Sequence, residues 1–370
     1  MYMKTILKQI LAVSVLSITT IPAIAQHYFS DAQKSEWLKK AQENTPELFY
    51  TTIKPEIQVD IVADKQSFQG YKAVNPRKAQ GLYSESFKGK SGIVLDLGDH
   101  YTGYFTFRIE EFQSDSDAPI RLKFTFAEVP AELRIPFDPY KGTISRAWLQ
   151  DEVVTIEQLP ATIKIPRRLS CRYLQIDILG DSQYAQYRIS DMKFVAQTSA
   201  KGSPAPLSTS DKLLLEIDKV SQKTLRECMQ TVFEDGPKRD HRLWIGDLYL
   251  QMLADNYTFQ NRALAKRCLY ILAGLCKDDG YLNHTIFETP VPHPQVVPIL
   301  LYEYALIYNA TLNDYLQETH DTQTALDLWP VAKRQIEKIP SLLDKDGLFD
   351  PEKANKQGLW QLVDWQESLD

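Results

Sequence analysis

The sequence has no block of basic residues, no C-x-x-C pair and no glycine-rich phosphate loop. Its formal charge is −6, with 42 Lys and Arg against 48 Asp and Glu. Nothing in that balance could neutralise a phosphate backbone, so nucleic acid is not an expected partner. The four cysteines, Cys171, Cys228, Cys268 and Cys276, are widely spaced. They form no cluster of ligand spacing with the six histidines, so a zinc box is not expected; an oxidising compartment permits disulfides, but the mature chain has core enough without them. Cys268 and Cys276 fall within an apolar helical pattern and should pack as small hydrophobes. With no Walker loop, no G-x-S-x-G elbow and no dinucleotide fingerprint, no metal and no cofactor is expected.

The chain has 370 residues and 44% hydrophobic content, ordinary for a globular protein of two or three domains. Aromatics are plentiful, with 19 Tyr, 15 Phe and 6 Trp. Such rings fill cores and also stack on sugar rings, and composition alone does not choose between these uses. The N-terminus reads as a secretory signal. Lys4 and Lys8 precede an apolar run from Ile10 to Ile18, and Ala23-Ile24-Ala25 has the small-x-small cleavage pattern. Cleavage is expected after Ala25. The run is too short and mixed for a stable membrane span. Residues 1–25 are therefore set apart, and a periplasmic or secreted product is expected.

Residues 26–56 form a lead-in with one short helical segment near Asp31–Asn44. From 57 to 198 the pattern alternates with period two. Expected strands include Gln58–Val62, Gly92–Gly98, Tyr104–Ile109, Arg121–Ala127, Val153–Ile156, Ala161–Ile165, Tyr173–Ile178 and Met192–Val195. These fit a jelly-roll β-sandwich. His100 and Tyr101 follow the Gly98-Asp99 break and are assigned to a turn. Residues 199–210 are rich in Ser, Pro and Ala and form a linker. From 211 to 370 the period is helical. Leu214, Ile217, Val220 and Leu225 make one apolar stripe. Further helices are expected over Asp247–Phe259, Arg262–Leu275, Gln295–Ala310 and Thr322–Lys338, with another near Gly358. Helices in succession joined by loops fit a toroid of helix pairs.

One stretch concentrates chemistry. Glu234 to Asp247 reads E-D-G-P-K-R-D-H-R-L-W-I-G-D. Gly236 and Pro237 oppose helix, so this is a loop that ends where a helix starts near Asp247. Its charge density fits two readings. One is a solvated, salt-bridged connection. The other is acid–base work on a sugar, with carboxylates beside an aromatic. Glu288, in the Pro-rich loop T-I-F-E-T-P-V-P-H-P, is assigned to the surface.

D-G-P-K-R-D-H-R-L-W-I-G-D resembles the signature of bacterial α-L-rhamnosidases of glycoside hydrolase family 78, D-C-P-x-R-(E/D)…W-x-G-D. The strands from Gly92 onward, with Phe126-Ala127-Glu128-Val129, look like that family's accessory β-domain. Trp360-(x3)-Asp364-Trp365 resembles its barrel tryptophan–aspartate element. The resemblance implies a multidomain β + α protein, a jelly-roll β-sandwich followed by a partial (α/α)6 toroid. It implies inverting hydrolysis of terminal α-L-rhamnosyl residues, with a rhamnose-containing carbohydrate as partner. By motif position, Asp240 is the candidate general acid, where the family usually has Glu. Asp235, Arg239, Trp244, Asp247, Asp364 and Trp365 are candidate substrate-binding residues. The general base is expected beyond residue 370, because residues 211–370 hold too few helices for a full six-pair barrel. A truncated form is expected on that count, with apolar helix faces left in water. Two alternatives stand beside this reading: a carbohydrate-binding remnant without hydrolysis, and another toroid sugar hydrolase, such as one acting on uronides.

Overall fold

The computed structural model describes residues 27–295 and 300–360. The expected signal peptide and the candidates Asp364 and Trp365 lie outside them.

The N-terminal helix α1 (Asp31–Glu43) opens on Ser30, whose hydroxyl accepts from the Gln33 N–H. It buries Trp37 and Ala41, yet the core they enter belongs to the helices after residue 210. The lead-in is thus a structural part of the helical half, separated from it in sequence by the whole β-domain.

Nine strands form that β-domain in one hydrogen-bonded network. They are β1 (Phe49–Ile53), β2 (Ile57–Ala63), β3 (Tyr71–Lys78), β4 (Ile93–Glu111), β5 (Ile120–Ala127), β6 (Asp151–Ile156), β7 (Ala161–Lys164), β8 (Leu169–Gly180) and β9 (Tyr187–Thr198). Two expected strands, before and after Gly98, are a single strand β4. Its register shifts between Asp96 and Tyr101, so Gly98, His100 and Tyr101 lie at an irregularity inside the strand, not in a connecting turn. The strand continues because its neighbours change along its length. Residues 94–96 lie between β2 and β8, and residues 106–109 between β9 and β7. Alternation then decides the core. Phe105 and Phe107 of β4 face Phe124 and Phe126 of β5 with ring centroids 4.8–5.7 Å apart, all four fully buried or within 1% of it. Each such ring contributes about 1.5–3 kcal/mol. Strands β1 and β3 were not legible, because Thr-Thr-Ile and Val-Asn-Pro lack a run of alternating apolar residues.

The linker 199–210 carries no helix or strand. Helix α2 (Lys212–Cys228) follows, capped by Asp211. Its predicted stripe does not face a core here. Leu214, Ile217 and Val220 are 45%, 52% and 60% exposed, and only Leu225 is buried. The helix is held at its C-terminal end, where the Arg226 and Met229 carbonyls accept from the Thr198 hydroxyl. Strand β10 (Arg242–Trp244) leads into α3 (Ile245–Asn256), and α4 (Arg262–Gly274) packs along α1. Strands β11 (Thr285–Phe287) and β12 (His293–Pro294) complete a three-stranded sheet with β10. Helix α5 (Tyr302–Thr319) starts later than Gln295, directly after a two-residue strand at Leu300–Leu301. It ends at His320, which takes a left-handed cap with φ 56°. Helix α6 (Thr322–Ile336) is followed by a helical turn at Pro351–Lys356. The helix expected near Gly358 is not seen among the described residues, and residues 361–370 lie outside them. Strand β14 (Leu359–Trp360) pairs there in parallel with β13 (Leu300–Leu301). All four cysteines are free buried thiols. Among the described residues no helix is long and apolar enough to cross a membrane.

Candidate active site

The charged loop is fastened at both ends before it presents anything. The Asp235 N–H donates to the Arg242 carbonyl at 2.8 Å, closing the loop at its neck. Inside it, Arg239 N–H donates to the Gly236 carbonyl at 2.7 Å. Gly236 has φ +62°, and a Cβ there would lie 2.7 Å from Arg239 Nε. A side chain would meet left-handed strain and a blocked neighbour together. Gly236→Ala is therefore expected to lower stability by about 1–3 kcal/mol. Chemical denaturation checks this, and an unchanged midpoint would refute the tight-turn assignment.

The tight turn brings Asp235 and Arg239 into an ion pair at 2.6 Å, spaced i, i+4. One arm of the Arg239 guanidinium is thereby taken, and Lys238 is engaged as well. Its ammonium reaches across to the β-domain, 3.0 Å from Glu128 and 2.5 Å from Glu132. Asp240 is left between them. Its side chain is 4% exposed. Oδ2 accepts from Trp244 Nε1 at 3.3 Å and stands 3.8 Å from Arg242 Nε, too far for a hydrogen bond. Oδ1 is buried without a partner among the described residues. An under-solvated carboxylate holds its proton more firmly. Burial pushes the Asp240 carboxyl up, and Asp235 adds to this against Arg239 and Arg242.

Asp247 joins the same field from the first turn of α3. A helix N-terminus favours a negative charge there. Burial outweighs it and, with Asp235 and Asp240, raises the carboxyl to about 6. The three carboxyls Asp235, Asp240 and Asp247 thus influence one another, with Arg239 among them.

Trp244 is placed by the β10–β11 ladder, opposite Thr285. Its ring lies 5.4 Å from His284 and meets Tyr304 edge-on at 6.3 Å. Gly246 permits that approach, because a Cβ there would sit 2.7 Å from the Tyr304 ring. The spacing Trp-x-Gly-Asp is then explained. Trp is the last strand residue, Gly makes room for Tyr304, and Asp lies in the first helical turn.

Asp235, Arg239, Asp240, Trp244 and Asp247 are brought together as the sequence pattern implied. Other contacts were not anticipated from the sequence, although Glu234 and His241 stand there as groups that could share the proton work and Arg242 as an ion-pair partner for Asp240. Arg242 lies over the Phe287 ring at 4.3 Å and over Trp148 of the β-domain at 5.7 Å, and it donates to Gln295 Oε1 at 2.6 Å. Glu234 is 3% exposed and bonds Arg168, also of the β-domain. Glu288 is not a free surface group, since it accepts from the buried Arg267 at 2.7 Å. An arginine within the apolar run of α4 was the one signal for that pair. No group of metal-ligating side chains occurs among the described residues.

Comparison with known proteins agrees with this geometry. The glycosyl hydrolase family 78 α-rhamnosidase N-terminal domain matches residues 55–196. The bacterial α-L-rhamnosidase six-hairpin glycosidase domain matches residues 204–370. A rhamnosidase from Klebsiella oxytoca, solved with rhamnose bound, is 36% identical with a TM-score of 0.84. The chain belongs to glycoside hydrolase family 78.

The alignment with the Klebsiella protein covers 91% of this family 78 chain and 64% of that protein's length. Two more distant relatives share the fold. A family 78 rhamnosidase of Bacillus is 22% identical with a TM-score of 0.57, over 74% of this chain and 26% of that one. The α-L-rhamnosidase from Dictyoglumus thermophilum is 16% identical with a TM-score of 0.53, over 82% and 30%. No curated protein matches the sequence. In this family 78 chain the β-domain supplies Glu128, Glu132, Trp148 and Arg168 to the signature loop, so both matched regions shape the site.

Proposed function

We propose that this chain carries the sugar-binding and proton-donating groups of an inverting α-L-rhamnosidase. The observation that carries the proposal is Asp240, a buried carboxyl with an unpartnered oxygen among carboxylates and two arginines. A carboxyl whose surroundings make it hold its proton more firmly suits protonation of a departing glycosidic oxygen. Asp235, Arg239 and Asp247 offer acceptors and a planar fork of donors for sugar hydroxyls. The Trp244 indole offers an apolar face for the ring's C–H bonds. Two carboxylates flank the bond in this reaction class. Among this chain's residues Asp240 is the candidate for the acid.

Asp240→Asn is expected to lower kcat/KM on 4-nitrophenyl α-L-rhamnoside by about 10²–10⁴-fold, with fluorescence and melting unchanged. Equal turnover by the variant would remove Asp240 from the acid role. Saturable rhamnose binding by the wild-type chain with no 4-nitrophenol release would favour the binding-protein alternative instead. The Lys4, Lys8 and Ala23-Ile24-Ala25 pattern supports export through a cleaved signal, so a periplasmic or secreted location belongs to the same proposal.

A further inference from the structure

A cavity of about 700 Å³ opens between the outer face of the β-domain and the far side of the signature loop. Asp240 does not line it, but its chain neighbour His241 does. One wall is a row across four adjacent strands. Tyr50 of β1 pairs with Gln197 of β9, Val195 pairs with Tyr104 of β4, and Thr106 pairs with Lys164 of β7. Tyr104 and Thr106 alternate with the buried Phe105 and Phe107, so they face away from the core. The sheet therefore turns two tyrosines and a lysine into one concave surface.

The opposite wall contains Arg168, Glu234 and His241. Two buried atoms there have no partner among the described residues, Arg168 Nε and His241 Nε2. His241 bonds the Pro237 carbonyl through its other nitrogen, so burial, which brings its pKa to about 4, leaves Nε2 as an acceptor at neutral pH. One orphaned donor and one orphaned acceptor on a shared wall match a polyhydroxylated ligand. Charge narrows the class. Arg168 already faces Glu234, Arg167 faces Glu152, and Glu288 faces Arg267. Lys164 has no carboxylate partner among the described residues, and its ammonium sits 4.8 Å from the Tyr104 ring centre. One uncompensated cation suits a single carboxylate better than a doubly charged phosphate.

We propose that this cavity binds a sugar ring bearing a carboxylate, with Tyr50 and Tyr104 as its platform and Lys164 as its counter-charge. It would take an acidic sugar unit at a place separate from Asp235, Arg239 and Trp244, and in taking a carbohydrate it rests on the reading above. The test is calorimetric titration of the full chain with a galacturonate disaccharide and with its neutral galactose counterpart. Saturable binding of the acidic sugar is expected, at least about tenfold tighter than the neutral one and weakened by salt. Lys164→Gln, an exposed position, should lose about tenfold. Tyr104→Ala should weaken both sugars alike. The proposal is overturned if the acidic sugar does not bind, if Lys164→Gln binds it equally, or if the neutral sugar binds as tightly. A parallel titration with rhamnose, read by tryptophan fluorescence, separates the two readings. Loss of rhamnose binding alone counts against the proposed function, and loss of uronate binding alone counts against this site.

Discussion

Arg267→Met should lower the unfolding free energy by about 3–5 kcal/mol. The guanidinium is 3% exposed and every side of it is used. Nε donates to the Thr231 carbonyl at 2.8 Å, and Nη1 donates to the Ala41 carbonyl and the Thr45 hydroxyl, both at 2.8 Å. Nη2 donates to Glu288 at 2.7 Å. One side chain thus ties the end of α1, the approach to the signature loop and the Pro-rich loop together. A methionine fills similar volume but leaves the partly buried Glu288 with no counter-ion and two carbonyls without donors. Urea unfolding followed by tryptophan fluorescence measures the loss. Adding Glu288→Gln should recover part of it, because the stranded charge is removed. A single-mutant loss under about 1 kcal/mol would mean that water replaces these partners and that the tie is weak.

Asp255→Asn should act in the opposite direction. Asp255 closes α3, is 1% exposed and is pushed up to about 7 by burial. Its Oδ2 accepts from the Asn261 N–H at 2.8 Å, while Oδ1 has no partner among the described residues. The folded chain therefore keeps this proton to near pH 7, whereas the unfolded chain releases it near the ordinary carboxyl range. Below about pH 4 both states hold it and no penalty exists. As pH rises from about 4 to 7 the unfolded state is increasingly favoured, and above 7 the full penalty stands, on the order of 4 kcal/mol. The asparagine keeps the acceptor and carries no charge. Its stability should exceed wild type by a few kcal/mol at pH 8 and match it near pH 4, with a flatter pH profile between. Equal gains at both pH values would show that packing, not titration, is responsible.

The signature loop was legible because its constraints are local. Gly236-Pro237 bars a helix, Asp235 and Arg239 are four apart, and Trp-x-Gly-Asp spans a strand end and a helix start. Each of these is decided within a few residues. What escaped the sequence depends on distant chain. Gly98-Asp99 looked like the end of a strand, but β8 pairs on both sides of the irregularity and carries β4 through it. Glu288 looked like a surface residue because Arg267, 21 positions away, is brought to it only by α4. The stripe on α2 has the period of a core-facing helix, yet periodicity records only which side is apolar, not what stands opposite. Trp37 was assigned to a lead-in, since nothing in residues 31–43 indicates that α1 will meet α4 across the β-domain's whole length of sequence.

Lys238 ends on Glu128 and Glu132, Arg168 ends on Glu234, and the Gln150 side chain bonds the Lys238 carbonyl. Each of these pairs has one member on either side of residues 199–210. The boundary drawn by composition is therefore not a boundary in energy. Neither half is a transferable cassette, because grafting the helical part onto another scaffold would carry along a lysine and a glutamate whose counter-ions stay behind.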